Sequence, residues 1–185
     1  DGYWRQGSAR ERHAGIACPV FAVGGWADGY RDMVLRMVEH AGGTHDHDAV
    51  MRRLLVVMES LLRSEPVHWR PGAKDLLVSL EAAGVPCALV SASWRNLVDA
   101  VVDAVLHEVG SEAFRTTVAG DEVERTKPFP DPYLLAAERI GVRPQDCVVL
   151  EDSHTGTRAG VASGALVVAV PSLVDIEPAE GLRVV

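Results

Sequence analysis

The stretch Val148-Val149-Leu150-Glu151-Asp152-Ser153-His154-Thr155-Gly156 decides the fold class of this 185-residue chain. An apolar run ends there in two adjacent carboxylates, and a glycine-containing turn then opens a helix. Open parallel sheets bind ligands at the carboxyl ends of their strands. Paired carboxylates at such an end suit Mg²⁺, which prefers oxygen ligands and keeps several of its waters. The stretch therefore predicts a strand that ends at a metal site, with Glu151 and Asp152 as ligands.

Helical and strand patterns alternate on both sides of this stretch. Apolar residues at helical spacing predict helices over 72–83, 96–107 and 131–140, the last with Asp131 as N-cap and Pro132 as first helical residue. Apolar runs predict strands over 85–90, 116–119, 147–150 and 166–170. Such alternation predicts a three-layer, Rossmann-like α/β fold, in which a parallel sheet has helices on both faces.

Two further polar features come at places where a phosphate could bind. Ser91-Ala92-Ser93 follows the strand predicted over 85–90, and Lys127 lies in a loop with prolines at positions 128, 130 and 132. A segment that caps a helix also exposes backbone N–H groups that bind phosphate, so a capping role and a binding role for Ser91 are compatible. Lysines are most often surface residues, but the adjacent prolines stiffen this loop and indicate a fixed position for Lys127.

Composition limits the classes of protein to be considered. The length and the 48% hydrophobic content suit one substantial core, and the net charge of −8 argues against nonspecific nucleic-acid binding. The three cysteines are scattered and odd in number, which indicates free thiols in a reducing compartment. No apolar run reaches membrane-spanning length and no signal-peptide pattern begins the chain, so we expect a cytoplasmic protein without a membrane partner.

Residues 67–178 resemble the haloacid dehalogenase superfamily, specifically its beta-phosphoglucomutase-like phosphatases. Ser91 matches the second motif of that family, Lys127 the third, and Glu151 with Asp152 the fourth. The resemblance implies that Ser91, Ala92 and Lys127 bind the phosphoryl group, with Ser91 and Lys127 as catalytic residues, and that Asp152 and Glu151 bind Mg²⁺. The first motif of the family, Asp-x-Asp-Gly-Thr, supplies the nucleophilic aspartate, and no such segment occurs in this sequence.

Residues 1–38 resemble a different family, the cocaine-esterase and X-prolyl-dipeptidase-like acyl hydrolases. The resemblance rests on the stretches at 3–8 and 18–30, and Asp28 matches the acid of that family's catalytic triad. No G-x-S-x-G nucleophile elbow accompanies Asp28. The chain does not begin with methionine, and a natural fusion, a fragment and an assembly artefact all remain open as its origin.

These two resemblances divide the chain into an N-terminal segment at 1–43, a reduced helical cap at 44–70 and a core at 71–185. A helix is predicted over 31–40 and another, the cap remnant, over 49–63. The first-motif strand of the family occupies the centre of the sheet, and its loss would leave backbone groups unpaired. We therefore predict that the apolar run 19–23 fills the centre, parallel to its neighbours. Asp28 would then supply a third carboxylate to the metal side, and Trp26 would stand where the nucleophile belongs.

The sequence thus predicts a Mg²⁺-dependent phosphohydrolase domain for a small phosphorylated metabolite, impaired because the nucleophilic aspartate is missing. One alternative is a phosphate- or metal-binding module without catalysis, and a second is a fragment of an acyl hydrolase. The identity of the substrate and the oligomeric state are open.

Overall fold

The structure, a computed structural model, describes residues 20–22, 47–64, 66, 69–171 and 174–185. It has six strands and five α-helices in these residues. The strands are β1 Val20–Ala22, β2 Cys87–Val90, β3 Thr116–Val118, β4 Val148–Glu151, β5 Leu166–Ala169 and β6 Leu182–Val184. The helices are α1 His47–Ser64, α2 Ala73–Ala82, α3 Arg95–Val109, α4 Asp131–Ile140 and α5 His154–Ser163.

The six strands form one parallel sheet in the order β3-β2-β1-β4-β5-β6. Strand β1 lies between β2 and β4, with Val20 opposite Cys87 on one side and Val148 on the other. This is the central, parallel position that we predicted for the apolar run 19–23. The wider division of the chain into an N-terminal segment, a cap remnant and a core stays a prediction.

Alternate residues of the strands bury opposite faces of the sheet, as the period of two in a β-strand requires. Val90 and Val149 pack in one cluster with residues of α4 and α5, among them Ala136 and Ala159. Cys87 and its neighbours pack in a second cluster with residues of α2 and α3: Leu77, Leu80 and Val105. Helices therefore cover both faces, and the predicted α/β architecture is confirmed.

Helix α1 packs against α3 through polar contacts. The Asn96 side-chain amide of α3 donates to Glu59 over 2.8 Å, and Arg63 forms an ion pair with Asp103 of α3 at 2.7 Å. Arg63 also pairs with Glu59 of its own helix at 3.1 Å. The helix extends the predicted range 49–63 by a residue or two at each end, and its identity as a cap remnant stays a prediction. The helix predicted over 31–40 lies outside the described residues.

One helix start differs from the prediction. Helix α4 begins at Asp131 itself and its N-cap is Pro130, so Asp131 is not the capping residue. The reason is a competing partner: both Asp131 oxygens accept hydrogen bonds of 3.1 Å from the guanidinium of Arg125.

Among the described residues, no helix has the length and hydropathy needed to cross a membrane.

Candidate functional site

A buried ion pair joins the carboxyl ends of β2 and β4. The Lys127 ammonium lies 2.6 Å from Glu151 Oε1 and donates to the carbonyl of Val90 over 3.1 Å. The Lys127 side chain is 4% exposed and that of Glu151 is fully buried. Because Val90 ends β2 and Glu151 ends β4, the lysine holds a positive charge at the edge of the sheet where the sequence predicted a site.

Both oxygens of Glu151 bind several protein donors. Besides Lys127, Oε1 accepts a hydrogen bond of 2.5 Å from the hydroxyl of Tyr133, a fully buried residue in the first turn of α4. Oε2 accepts from the Asp152 backbone N–H at 3.2 Å and from the Ser153 hydroxyl at 3.1 Å. An ionised carboxylate has about four acceptor positions, so these four donors satisfy it.

Helix α5 presses against this carboxylate at Gly156. A methyl group placed on Gly156 would lie 1.9 Å from Glu151 Cδ and 2.0 Å from each of its oxygens, closer than atoms can approach. Ser153 caps the helix by accepting a hydrogen bond from the Gly156 N–H at 3.0 Å. The glycine therefore makes the space in which Glu151 reaches Lys127.

The loop after β2 has a fixed backbone. The Ser91 N–H donates to the Val118 carbonyl over 2.9 Å, and the Gly120 N–H donates to the Ser93 carbonyl over 2.7 Å. A methyl group on Gly120 would lie 2.2 Å from the Ala92 carbonyl oxygen, so only glycine allows this approach. The Ser91 hydroxyl oxygen accepts from the Ser93 N–H at 3.1 Å, which leaves its own hydrogen available to donate.

A surface network braces the same loop from the other side. Glu122 forms ion pairs with Arg95, at the start of α3, and with Arg139 of α4 at 3.0 Å, and it accepts from the Ala119 N–H at 2.7 Å. Burial raises the pKa of Glu122, but the hydrogen bonds from Ala119, Arg139 and Arg95 outweigh it and hold the pKa below its ordinary value. The network therefore joins α3 and α4 to the segment that follows β3 and leads to Lys127.

The structure thus brings together Lys127 and Glu151. Lys127 lies beside the loop that contains Ser91 and Ala92, and Asp152 directly follows Glu151 in the sequence. It does not describe Asp28 or Trp26. Sequence reasoning missed Tyr133 and Glu122. Tyr133 had one signal, a hydroxyl on the apolar stripe of α4, whereas Glu122 resembles any exposed loop acid.

A magnesium ion binds oxygen ligands. Asp152 offers a carboxylate at the end of β4, and Mg²⁺ commonly takes one or two carboxylates together with waters and substrate phosphate. No group of three or more histidine, cysteine or acidic residues suited to a metal occurs within the described ranges. Asp152 fits the chemistry of the ion, while Glu151 is already satisfied by its four protein donors.

A family model for haloacid dehalogenase-like hydrolases matches residues 13–164. The chain is 46% identical over 103 residues to a bifunctional riboflavin kinase/FMN phosphatase from Arabidopsis thaliana, covering 56% of this chain and 27% of that protein. It is 40% identical over 113 residues to hexitol phosphatase A from Escherichia coli, covering 60% of this chain and 50% of that protein.

The fold also resembles a solved structure, CbbY from Rhodobacter sphaeroides in complex with phosphate. The TM-score is 0.68 at 28% identity, with 77% of this chain and 64% of that chain covered. The chain spans between about a quarter and a half of the length of the curated relatives that it matches first. The family match begins at residue 13, well before the region 67–178 that carried the resemblance in sequence, and so includes the central strand. This chain belongs to the haloacid dehalogenase-like hydrolase family.

Proposed function

We propose that this chain is the phosphate-binding core of a Mg²⁺-dependent phosphohydrolase that acts on a small phosphorylated metabolite. The observation that carries the proposal is the buried pair of Lys127 and Glu151 at the carboxyl edge of the parallel sheet. A buried lysine beside a satisfied carboxylate is costly to assemble, and breaking such a pair is strongly destabilising. A binding role for the lysine explains why the chain holds a charge there.

The phosphate would bind between Lys127 and the loop that begins at Ser91. A lysine ammonium has three donors, and within the described residues Val90 and Glu151 accept from two of them. The third hydrogen and the Ser91 hydroxyl are then suited to two oxygens of one phosphate. The loop runs into the N-terminus of α3, whose partial positive charge favours an anion.

Asp152 would hold Mg²⁺, with Asp28 as a further candidate ligand. When bound, the ion would polarise the phosphoryl oxygens as a Lewis acid. The sequence also assigned Glu151 to the metal. The four donors around Glu151 favour a different role, in which it orients Lys127 and leaves the metal side to Asp152.

The relatives support the class of substrate. The FMN phosphatase and the hexitol phosphatase are both named for the removal of phosphate from small molecules. They do not select one substrate for this chain, since it spans only part of each of them.

The sequence contains no Asp-x-Asp-Gly-Thr segment, and this absence limits the proposed activity. Without the nucleophilic aspartate, a covalent aspartyl phosphate cannot form at that position, so turnover would be impaired. The same observation favours a second candidate, a phosphate-binding module without turnover. Nothing in the described residues favours the acyl hydrolase alternative.

Hydrolysis of an aryl phosphate, with and without Mg²⁺, distinguishes the two candidates. We expect slow hydrolysis that depends on Mg²⁺ and stays far below that of hexitol phosphatase A measured in parallel. Lys127→Met should lower it further, whereas Lys74→Met, which removes an exposed lysine paired with Glu108 at 3.6 Å, should not. If the wild-type protein hydrolyses the ester no faster than Lys127→Met, the second candidate, the phosphate-binding module, is favoured. A wild-type protein that neither hydrolyses the ester nor binds phosphate would contradict both.

A further inference from the structure

Tyr133 touches both members of the buried ion pair. Its hydroxyl donates to Glu151 Oε1 over 2.5 Å, and the centre of its ring lies 5.1 Å from the Lys127 ammonium. The second contact lies within the range of a cation–π interaction. Since Tyr133 is fully buried, these two neighbours link it to a phosphate bound at Lys127.

The hydroxyl of Tyr133 is one of four donors that are divided between the two oxygens of Glu151. Lys127 and Tyr133 share Oε1, while the Asp152 N–H and the Ser153 hydroxyl share Oε2. Gly156 packs directly against the carboxylate and limits its rotation. Removal of the hydroxyl would leave Oε1 with one acceptor position unfilled in a buried site, a costly state that the carboxylate can relieve only by turning.

We propose that Tyr133 is a positioning residue for phosphate binding. Its hydrogen bond holds the Glu151 carboxylate in the orientation that accepts from Lys127. The Lys127 ammonium is thereby held in one orientation, with one N–H left to donate to a phosphate oxygen. This inference rests on the proposed function, because it assumes that Lys127 binds phosphate. It differs from a purely structural role, in which the hydroxyl would satisfy a buried acceptor and change stability alone.

The test uses Tyr133→Phe, which retains the ring and its packing and removes only the hydroxyl. The affinity for inorganic phosphate is measured by calorimetry without Mg²⁺, at a temperature where each protein is fully folded. We expect the affinity of Tyr133→Phe to fall about fivefold, because hydrogen bonds to charged groups are among the stronger ones in proteins. The matched control is Ser163→Ala, which removes another buried hydroxyl, one that donates to the Gly160 carbonyl over 2.7 Å in α5. Its phosphate affinity should equal that of the wild-type protein.

A second measurement separates this inference from the proposed function. The Lys127 ammonium is buried and hydrogen-bonded, so its N–H signal should be visible in a ¹H–¹⁵N NMR spectrum of the protein without phosphate. We expect this signal to shift or broaden in Tyr133→Phe and to remain unchanged in Ser163→Ala. If the wild-type protein binds no phosphate either with or without Mg²⁺, the proposed function fails and the inference falls with it. The NMR signal still reports how Lys127 is held. An unchanged phosphate affinity in Tyr133→Phe, or an equal loss in Ser163→Ala, would overturn the positioning role.

Discussion

Substitution of Gly156 by alanine should destabilise the protein although alanine is the better helix former. The new methyl group would lie 1.9 Å from Glu151 Cδ, so the carboxylate must leave its place beside Lys127. Breaking a buried ion pair costs about 3–5 kcal/mol, and alanine in place of glycine in a helix returns about 1 kcal/mol. The expected net loss in the free energy of unfolding is therefore about 2–4 kcal/mol.

The cause of this loss can be isolated in a second background. In a protein that carries Glu151→Ala and Lys127→Met, both charges are gone, and so are the three atoms nearest to the new methyl group. Gly156→Ala should then stabilise that protein by about 1 kcal/mol, the helix-propensity term alone. Urea unfolding followed by circular dichroism gives both differences, provided that the slope with denaturant stays constant. Equal losses in the two backgrounds would refute the reasoning, because the clash with Glu151 could not then be the cause.

Three other outcomes are expected. Lys127→Met should destabilise the protein by about 3 kcal/mol in urea unfolding, because Glu151 loses its cation while fully buried, and Lys74→Met should cost little. The pKa of Glu122 in the folded protein lies below its ordinary value of 4.5. The ionised carboxylate therefore contributes its full stabilisation above the ordinary pKa, and this contribution is lost as the pH falls through the lower pKa of the folded protein. The unfolding midpoint of Glu122→Gln should accordingly depend less on pH than that of the wild-type protein as the pH falls below 4.5. Burial, with the charge of Glu81, raises the pKa of Cys87 to about 11, so peptide mapping after alkylation near neutral pH should find Cys87 modified in the unfolded protein but not in the folded one.

The residues that end strands could be predicted from the sequence because a parallel sheet collects its carboxyl ends at one edge. This rule placed Ser91 and Glu151 at the same edge. Backbone N–H and C=O groups in the middle of a sheet must be hydrogen-bonded, and this requirement placed the run 19–23 between the two strands. Short-range patterns also fixed most helix and strand positions to within a residue or two. Such boundaries vary by that amount between methods of assignment.

The contacts around Glu151 could not be predicted in the same way. Whether the Tyr133 hydroxyl meets Glu151 depends on how α4 is rotated over the sheet, and packing of the whole cluster around Tyr133 sets this rotation. Asp131 failed as a predicted cap because Arg125, six residues earlier, binds the same carboxylate. Strand β6 was not predicted, since it is only three residues long and depends on pairing with β5.

The proposed phosphate site is formed by described residues around Lys127. Calorimetric titration of the protein with inorganic phosphate in the presence of Mg²⁺ tests it most directly, with Lys127→Met and Ser91→Ala compared with Lys74→Met and Ser79→Ala. We expect saturable binding of one phosphate by the wild-type protein and by both control variants, and clearly weaker binding by Lys127→Met and Ser91→Ala. Binding of equal strength in Lys127→Met and Lys74→Met would contradict it.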